Sequence, residues 1–369
     1  MHIAQIGIAL AVAPNMAKVQ GALLPDRDGQ AAGPVPFKEV AGVDAIPARP
    51  VTEHDAAISG MPRRLVYNNS LPILSYRGFW LLEDWARGTA AMADERRGGF
   101  VARPGDVVLA TLPKAGTTWL KALAFATMAR GLFPPASPDH PLRRLNSHDC
   151  VPTVESGLFA CGREGVLDKL PSPRLLNTHL PLSLLPSSIT DNDDCKIVYV
   201  CRDEKDRAVS TWHFIKRIKR IGSDVPFSEV YKSICEGTSA CGPVWDHILG
   251  YWNASKKEPS RVLFLTYEQM LQDPMGTIRQ LAEFLGQPIS DAEEETGVVA
   301  EIVELCSLES MKKQKINREG YQGVGITFSN DAYFRKGVAG DWLNHMTLEM
   351  GQHLDSILNE KFDGSGFTI

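Results

Sequence analysis

The stretch that decides the fold is Thr111-Leu112-Pro113-Lys114-Ala115-Gly116-Thr117-Thr118-Trp119. The apolar residues 107–110 before it form a run short enough for a buried parallel strand. After it, apolar residues repeat at helical spacing until Gly131, which predicts a helix. The stretch is therefore predicted to be a loop between the carboxyl end of a strand and the amino end of a helix. Free backbone N–H groups and the positive end of the helix dipole favour an anion at such a place.

The side chains of this loop add to its predicted affinity for an anion. Lys114 supplies a positive charge, and the hydroxyls of Thr117 and Thr118 supply hydrogen-bond donors. The loop differs from the usual nucleotide-binding P-loop, because its lysine precedes a single glycine and the string GxxxxGK[ST] does not occur in the chain. A P-loop nucleotide kinase is therefore a disfavoured alternative. An ordinary strand–helix turn with a solvated lysine is the simpler alternative.

Four later segments place polar residues after short apolar runs or in a C-terminal loop. They are residues 174–181 (RLLNTHLP), 196–203 (KIVYVCRD, followed by Ser210), 265–268 (LTYE) and 335–342 (RKGVAGDW). Ligands of parallel α/β sheets bind beyond the carboxyl ends of the strands, so these segments are expected to converge on one crevice despite their separation in sequence.

The loop and these four segments, in this order, resemble the cytosolic sulfotransferases. The amino-acid sequences of these segments, and that of residues 146–152 (NSHDCVP), are similar to the plant soluble branch of that family. The resemblance extends from about residue 65 to the C-terminus. It implies a P-loop-like sulfotransferase fold and a direct, in-line transfer of a sulfuryl group from 3′-phosphoadenosine 5′-phosphosulfate (PAPS). The implied acceptor is a hydroxyl of a small, largely apolar molecule such as a flavonoid, a brassinosteroid or other steroid, a hydroxyjasmonate or a phenol.

The resemblance also implies where PAPS is held. The 5′-phosphosulfate is assigned to the loop residues Lys114, Ala115, Gly116, Thr117 and Thr118. Lys114 is expected to neutralise the charge that develops on the bridging oxygen as the S–O bond breaks. The residues assigned to the 3′-phosphate are Arg202, Ser210, Arg335, Lys336 and Gly337. The residues assigned to the adenine are Trp119, Tyr267 and Leu308, the last at a position where the family commonly has an aromatic residue.

On the acceptor side, His179 corresponds to the family's catalytic histidine. A neutral imidazole can remove the proton of an acceptor hydroxyl near neutral pH, so His179 is predicted to be the general base. Many animal members carry lysine where this chain has Asn177, which leaves more of the leaving-group stabilisation to Lys114. His148 resembles part of the acceptor-pocket wall in plant members. No metal is implied, because the transferred sulfuryl group carries less charge than a phosphoryl group.

Composition agrees with this interpretation. The chain has 369 residues, 44% of them hydrophobic, which is enough for one large α/β domain. The formal net charge of −5 argues against a general nucleic-acid binder, so an anion site must be a local cluster of cations. The seven cysteines contain no CxxC pair and favour reduced thiols in the cytoplasm. No stretch approaches the roughly 20 apolar residues that span a bilayer.

The pattern beyond residue 100 alternates short strands and helices, which predicts an α/β fold with a parallel central sheet flanked by helices. The predicted strands are 107–111, 174–178, 196–200 and 262–266. The predicted helices are 117–130, 206–220, 227–236, 243–255, 275–285 and 294–305. Residues 1–61 are rich in Ala, Gly, Pro and Asp without periodicity and are predicted to be a disordered extension, with residues 62–369 forming the sulfotransferase domain.

Two further expectations concern function and partners. A family member that binds PAPS or its product without turnover is an alternative to an enzyme, although the presence of Lys114 and His179 argues against it. Many soluble members dimerise through a C-terminal string with a lysine and a glutamate at its ends. The corresponding stretch runs from Leu343 through Thr347 and Leu348 to Gln352 and lacks both charges. A monomer or a weak homodimer is therefore expected, with no nucleic-acid or membrane partner.

Overall fold

The computed structural model describes residues 33–40, 51–218, 221, 224–323 and 326–368. The strands in these ranges are β1 (Arg63–Val66), β2 (Leu71–Tyr76), β3 (Phe79–Leu82), β4 (Val107–Thr111), β5 (Leu175–Thr178), β6 (Lys196–Cys201), β7 (Val262–Thr266), β8 (Tyr321–Gln322) and β9 (Phe328–Ser329). The α-helices are Asp55–Ser59, Glu83–Met92, Thr117–Met128, Ser147–Cys150, Ser187–Thr190, Glu204–Ile215, Phe227–Cys235, Val244–Lys257, Tyr267–Gln272, Pro274–Phe284, Asp291–Thr296, Val298–Leu305, Leu308–Lys313, Lys315–Arg318 and Leu348–Phe362.

The predicted parallel sheet is present, with strand order β5-β4-β6-β7. All five residues of β4 are buried, as expected of a central strand covered by helices on both faces. Ala110 lies beside Thr178 of β5, and Thr111 lies beside Val200 of β6. This register brings the residues that follow all three strands to one edge of the sheet. The expectation of an α/β fold with a helix-flanked parallel sheet is confirmed.

The predicted helices are present with ends that differ by a few residues, and one of them is interrupted. The helix predicted for 117–130 ends at Met128, and the one predicted for 206–220 is Glu204–Ile215; residues 219 and 220 lie outside the described ranges. The helix predicted for 294–305 is wrong as a continuous element, because Gly297 has a left-handed φ of 81° and separates Asp291–Thr296 from Val298–Leu305. A residue in this conformation ends a helix.

A second, antiparallel sheet of order β1-β2-β3 precedes the parallel one and was not predicted from the sequence. Its strand β3 leads directly into the helix Glu83–Met92, which packs against the turns around residues 154–161. Backbone hydrogen bonds from Trp80 to Gly242 and from Cys241 to Trp80 tie β3 to the rest of the chain. This unit forms one wall over the carboxyl edge of the parallel sheet.

Part of the predicted N-terminal extension contacts the domain. Lys38 pairs with Asp149 at 3.4 Å, and Asp55 accepts a hydrogen bond from Arg87 at 2.8 Å. Residues 1–32 and 41–50, on which the rest of that prediction falls, lie outside the described residues. The boundary at residue 62 therefore stays a prediction. Across the part of the chain that the structure describes, no helix is both long and apolar enough to span a membrane.

The opposite edge of the parallel sheet, at the amino ends of the strands, contains a buried ion pair. Asp106 precedes β4 and Arg174 precedes β5, and both side chains are almost completely buried. The Nε of Arg174 donates to Asp106 Oδ1 at 2.9 Å, and the backbone N–H of Arg103 donates to Asp106 Oδ2 at 2.8 Å. The pair joins the two strands where they start, on the side away from the predicted site.

We expect Asp106→Ala to lower the free energy of unfolding by about 3–5 kcal/mol, because it leaves the guanidinium of Arg174 buried without a counter-charge. Urea unfolding followed by circular dichroism measures this loss. The matched control is Asp168→Ala, since Asp168 is 87% exposed and pairs with Arg103 across 3.2 Å. Exposed ion pairs contribute little, so the control should unfold almost as the parent protein does. Equal losses in the two variants would contradict a stabilising role for the buried pair.

Candidate functional site

A cavity of about 860 Å³ opens at the carboxyl edge of the parallel sheet. The structure brings together around it most of the residues that the sequence predicted for the site. These are Lys114, Gly116, Thr117, Thr118, Trp119, His148, His179, Arg202, Ser210, Tyr267, Leu308, Arg335, Lys336 and Gly337. Ala115 is different: its side chain is buried in the core, and its N–H donates to Leu112 O at 3.1 Å. Ala115 therefore shapes the loop from behind.

The loop after β4 is held in an unusual backbone conformation. Lys114 and Gly116 both have left-handed φ angles, of 70° and 110°. A Cβ on residue 116 would lie 2.8 Å from the ring of Tyr267, so only glycine fits there. The helix then starts at Thr117, and its first-turn N–H groups have no carbonyl four residues earlier within the helix to bond. The Thr117 hydroxyl is fixed by Thr111 Oγ1 at 2.7 Å.

Lys114 lies among aromatic rings and other cations. Its Nζ is 3.9 Å from the ring centroid of Phe214 and 5.5 Å from that of Tyr333. Burial lowers the pKa of Lys114 to about 7, and the nearby charges of Arg202 and Arg335 add to the effect. A bound anion would remove this repulsion and favour the charged lysine. The lysine is therefore placed to gain its full charge when a negative group enters the cavity.

His179 follows β5 and lies beside the end of β4. Its Nδ1 is 2.8 Å from the carbonyl oxygen of Thr111. Because a carbonyl can only accept, the neutral ring carries its proton on Nδ1 and leaves the lone pair of Nε2 unprotonated. The indole of Trp85 stacks on the ring at a centroid distance of 5.3 Å and an angle of 17°. Burial lowers the pKa of His179 to about 4, so the ring is a neutral proton acceptor at neutral pH.

The backbone of His179 is held on both sides. Its N–H donates to Glu155 Oε1 at 2.9 Å, and its carbonyl accepts a hydrogen bond from His247 Nε2 at 3.1 Å. The Tyr199 hydroxyl lies 3.0 Å from the other ring nitrogen of His247 and fixes that ring in turn. Glu155 is completely buried, which raises its pKa. These contacts fix the position of the imidazole with little freedom to move.

His148 lies on the other side of the loop. Its Nε2 is 3.1 Å from the Thr118 hydroxyl, and its Nδ1 is 3.1 Å from Nζ of Lys121. The ring packs on Tyr333 at a centroid distance of 4.3 Å. Burial, together with the charge of Lys121, lowers the pKa of His148 well below its ordinary value, so this ring is also neutral.

A second group of cations lies where the C-terminal loop meets the strand β6. Arg202, which follows β6, places its guanidinium 4.4 Å from the ring centroid of Tyr267 and donates to Val338 O at 3.0 Å. Its Nε is buried and has no hydrogen-bond partner among the described residues. Arg335 and Lys336 both pair with Asp341, whose pKa is lowered by these contacts. This group can bind an anion that enters from the cavity.

An aromatic and aliphatic slot lines the same cavity as the two cation groups. Trp119 and Tyr267 meet edge to face at a centroid distance of 5.6 Å and an angle of 77°. Leu308 lies against Gly337, where a Cβ would come within 2.6 Å of the leucine side chain. Flat and apolar surfaces of this kind suit a planar ring.

Several residues of the site were missed by sequence reasoning. Phe214 and Tyr333 flank Lys114, Trp85 stacks on His179, and Glu155 and His247 hold its backbone. No pattern in the neighbouring sequence marks most of these residues, because each acts through a partner that is distant in sequence. Lys121 is an exception, since a lysine inside the apolar run Trp119-Leu120-Lys121-Ala122-Leu123 indicates a buried charge that needs partners. Among the described residues, no group of His, Cys, Asp and Glu side chains could hold a metal ion.

Comparison with known proteins gives a consistent result. Residues 104–366 match the model of the sulfotransferase domain family. The chain is 39% identical over 300 residues to a flavonol 3-sulfotransferase of Flaveria bidentis, covering 80% of this chain and 93% of that protein. It is 39% identical over 313 residues to cytosolic sulfotransferase 17 of Arabidopsis thaliana, covering 84% of this chain and 88% of that protein.

Solved structures agree with the sequence comparison. A putative steroid sulphotransferase of Arabidopsis thaliana superposes with a TM-score of 0.67 at 34% identity, covering 88% of this chain and 99% of that one. A mouse sulfotransferase complexed with PAP superposes with a TM-score of 0.62 at 25% identity, covering 79% of this chain and 95% of that one. The sulfotransferase fold expected from the sequence is therefore confirmed.

We expect the imidazole of His179 to stay neutral as the pH falls from 8 to 5, with protonation only near pH 4. The physical cause is burial, since the cavity solvates an imidazolium poorly. An unfolded chain would take this proton near pH 6.5, so His179 lowers the free energy of unfolding as the pH falls below that value. Nitrogen-15 NMR of the ring, assigned by its loss in His179→Asn, measures the titration. A midpoint near 6.5 would contradict a desolvated ring.

Proposed function

Because the chain belongs to the sulfotransferase family, we propose that this enzyme transfers a sulfuryl group from PAPS to a hydroxyl of a small, largely apolar acceptor. The observation that carries the proposal is the geometry at the ends of β4 and β5. There an anion-binding loop with Lys114 and an unprotonated Nε2 of His179 line the same cavity. Sulfuryl transfer to a hydroxyl needs both, a place for the negative donor and a base for the acceptor.

The residues around the cavity fit the 5′-phosphosulfate, the 3′-phosphate and the adenine of PAPS. Lys114, Thr117, Thr118 and the N–H groups after Gly116 would bind the 5′-phosphosulfate. The residues that would bind the 3′-phosphate are Arg202, Ser210, Arg335, Lys336 and Gly337. The buried Nε of Arg202, which has no partner within the described ranges, supports this assignment, since a buried donor without an acceptor is costly unless a ligand supplies one. Trp119, Tyr267 and Leu308 would contact the adenine. The mouse relative is described as complexed with PAP, the product form of the donor.

The acceptor is assigned to the part of the cavity near Trp85. The cavity wall includes apolar side chains from β2, β3 and the following helix, from the turns after His148 and from the chain at β9: Leu71, Leu82, Trp85, Leu158, Ile326 and Phe328. Such a wall favours a flavonoid, a brassinosteroid or other steroid, a hydroxyjasmonate or a phenol. The names of the relatives, a flavonol 3-sulfotransferase and a putative steroid sulphotransferase, point to the same classes.

The proposed reaction is a direct in-line transfer. Nε2 of His179 takes the proton of the acceptor hydroxyl, whose oxygen forms the new bond to sulfur while the bond from sulfur to the bridging oxygen of the donor breaks. Lys114 stabilises the negative charge that stays on the departing phosphate oxygen. Asn177 is uncharged and does not help to stabilise the leaving group in this proposal. Its amide nitrogen instead donates to Leu109 O at 2.8 Å. The transfer as proposed needs no metal, because the sulfuryl group carries less charge than a phosphoryl group.

The remaining proposals concern location and assembly. We propose a cytoplasmic enzyme without nucleic-acid or membrane partners, because its relatives are named cytosolic sulfotransferases. We also propose a monomer or a weak homodimer, which light scattering across a dilution series would test. Leu343 and Leu348 are 60% and 64% exposed, so the apolar surface expected from the sequence is available to a second copy. A PAPS-binding protein without turnover and a P-loop kinase are the alternatives.

We expect His179→Asn to lower the turnover of sulfuryl transfer by roughly 100- to 10,000-fold, because it removes the base while its amide can still donate to Thr111 O. The assay follows radiolabelled PAPS with a panel of flavonoids, steroids and phenols. Calorimetric binding of adenosine 3′,5′-bisphosphate should change little. The control is His353→Asn, an exposed histidine outside the cavity that bonds Tyr231 at 2.9 Å. A variant that keeps more than about a tenth of the turnover would rule out His179 as the base.

We expect Arg335→Ala and Lys114→Ala to change different kinetic constants of sulfuryl transfer. The 3′-phosphate is unchanged by the reaction, so loss of Arg335 should raise the KM for PAPS and leave saturated turnover similar. Charge on the bridging oxygen develops only in the transition state, so loss of Lys114 should lower turnover even at saturating PAPS. Lys315→Ala, an exposed lysine 3.7 Å from Glu319, serves as control. The same kinetic phenotype in both cavity variants would contradict this division of roles.

A further inference from the structure

A lysine without contact to solvent lies one helical turn behind the anion-binding loop. Lys121 belongs to the helix Thr117–Met128, and its side chain is completely buried. Its Nζ is surrounded by three acceptors: Val151 O at 2.9 Å, Thr153 Oγ1 at 3.1 Å and His148 Nδ1 at 3.1 Å. Three acceptors around one ammonium group match its three N–H donors. Burial lowers the pKa of Lys121 to about 7, while the nearby Glu155 and Asp149 oppose this shift and favour the charged form.

The surrounding hydrogen bonds determine which groups of this network donate and which accept. The amide nitrogen of Asn177 donates to Leu109 O at 2.8 Å, so its oxygen faces Thr153 as an acceptor, at 2.9 Å. The single proton of the Thr153 hydroxyl therefore goes to Asn177, and Thr153 accepts from Lys121. The carbonyl of Val151 can only accept. The third N–H of Lys121 thus points at Nδ1 of His148.

The same reasoning sets the donor and acceptor roles between His148 and the cavity. A neutral His148 that accepts at Nδ1 carries its proton on Nε2, which then donates to the Thr118 hydroxyl 3.1 Å away. Thr118 has accepted one hydrogen bond, so its own proton is available to the cavity that it lines. Lys114 and His179 also lower the pKa of His148 and so favour its neutral ring, and Tyr333 packs against that ring at a centroid distance of 4.3 Å.

We propose that Lys121 and His148 are positioning residues that hold the Thr118 hydroxyl as a hydrogen-bond donor toward the transferring group. The inference rests on the proposed function, because it assumes an anionic oxygen of the donor beside Thr118. Neither Lys121 nor His148 needs to touch the donor. The buried charge of Lys121 fixes one tautomer of His148, and that tautomer fixes one orientation of a hydroxyl. A preoriented donor stabilises charge in the transition state without reorganisation during the reaction.

The opposite arrangement is chemically possible and defines the test. An uncharged Lys121 would use its lone pair to accept from His148 Nδ1, and Nε2 would then accept the proton of Thr118. The hydroxyl would be turned away from the cavity. The two arrangements therefore differ in which ring nitrogen of His148 carries the proton.

The first experiment reads this tautomer directly in the full-length protein without ligand. Nitrogen-15 chemical shifts of the His148 ring distinguish protonated from unprotonated nitrogens, and the loss of its signals in His148→Gln assigns them. We expect a proton on Nε2 and none on Nδ1 at neutral pH. A proton on Nδ1 would overturn the proposal. Since the measurement needs no turnover, its outcome is independent of whether the proposed sulfuryl transfer is correct.

The second experiment is a double-mutant cycle on transfer from PAPS with Lys121→Met, Thr118→Val and the double variant. We expect each single variant to lose roughly 10- to 100-fold in turnover at saturating PAPS, the usual worth of a hydrogen bond to a charged group. The double variant should be hardly worse than Thr118→Val alone, because Lys121 acts through that hydroxyl. Thr118→Ser, which keeps the hydroxyl, should retain most of the turnover. Additive losses would overturn the proposal and indicate a packing role.

Two further variants keep the cycle interpretable. Thr127→Val is the matched control, because Thr127 is completely buried in the same helix and its hydroxyl has no partner among the described residues. It should leave turnover unchanged. If Lys121→Met does not fold, His148→Phe replaces it in the cycle, since phenylalanine keeps the packing on Tyr333 but cannot donate to Thr118. Additive losses of His148→Phe and Thr118→Val would overturn the proposal in the same way.

Discussion

The hydrogen bond from His179 Nδ1 to the carbonyl oxygen of Thr111 connects the fold to the chemistry of the site. It forms because β4 and β5 are parallel neighbours in a register that ends both strands at the same edge. The bond decides that Nδ1 carries the proton and that Nε2 is left unprotonated. Glu155 and His247 hold the backbone of His179, and Trp85 stacks on its ring. An imidazole whose tautomer and position are set by backbone geometry requires no rearrangement before it accepts a proton, which suits the proposed role of His179 as general base.

The second constraint is the concentration of positive charge in a chain whose formal net charge is −5. Lys114, Arg202 and Arg335 lie close enough to lower the pKa of the lysine, which shows that they repel one another without a ligand. Asp341 relieves part of this repulsion by pairing with Arg335 and Lys336. An anionic donor with two separated charges would satisfy all of these cations at once. The cluster would therefore be more favourable with the proposed donor bound than without it, as expected of a functional site.

The helix Thr117–Met128 contributes both to the cavity and to the buried polar network behind it. Its first turn supplies N–H groups and hydroxyls to the cavity, and its interior places Lys121 where an apolar residue would be expected. Burial lowers the pKa of this lysine to about 7, and its three N–H donors are matched by three acceptors, which offsets part of the cost of burying the charge. A polar network of this kind restricts its hydroxyl and imidazole groups to few orientations. It also links the loop to the strand β5 through Thr153 and Asn177.

The sequence by itself determined the parallel strands, the loop between β4 and its helix that is proposed to bind an anion, and the groups of residues expected at one edge of the sheet. These features depend on neighbours in the chain, because strand and helix periodicity and turn chemistry are local. Only the tertiary structure decided the tautomer of His179, the stacking of Trp85 and the partners of Lys121. Each of these joins segments far apart in sequence, 68 residues in the case of His179 and Thr111. Such contacts follow from strand register and packing, and no local pattern encodes them.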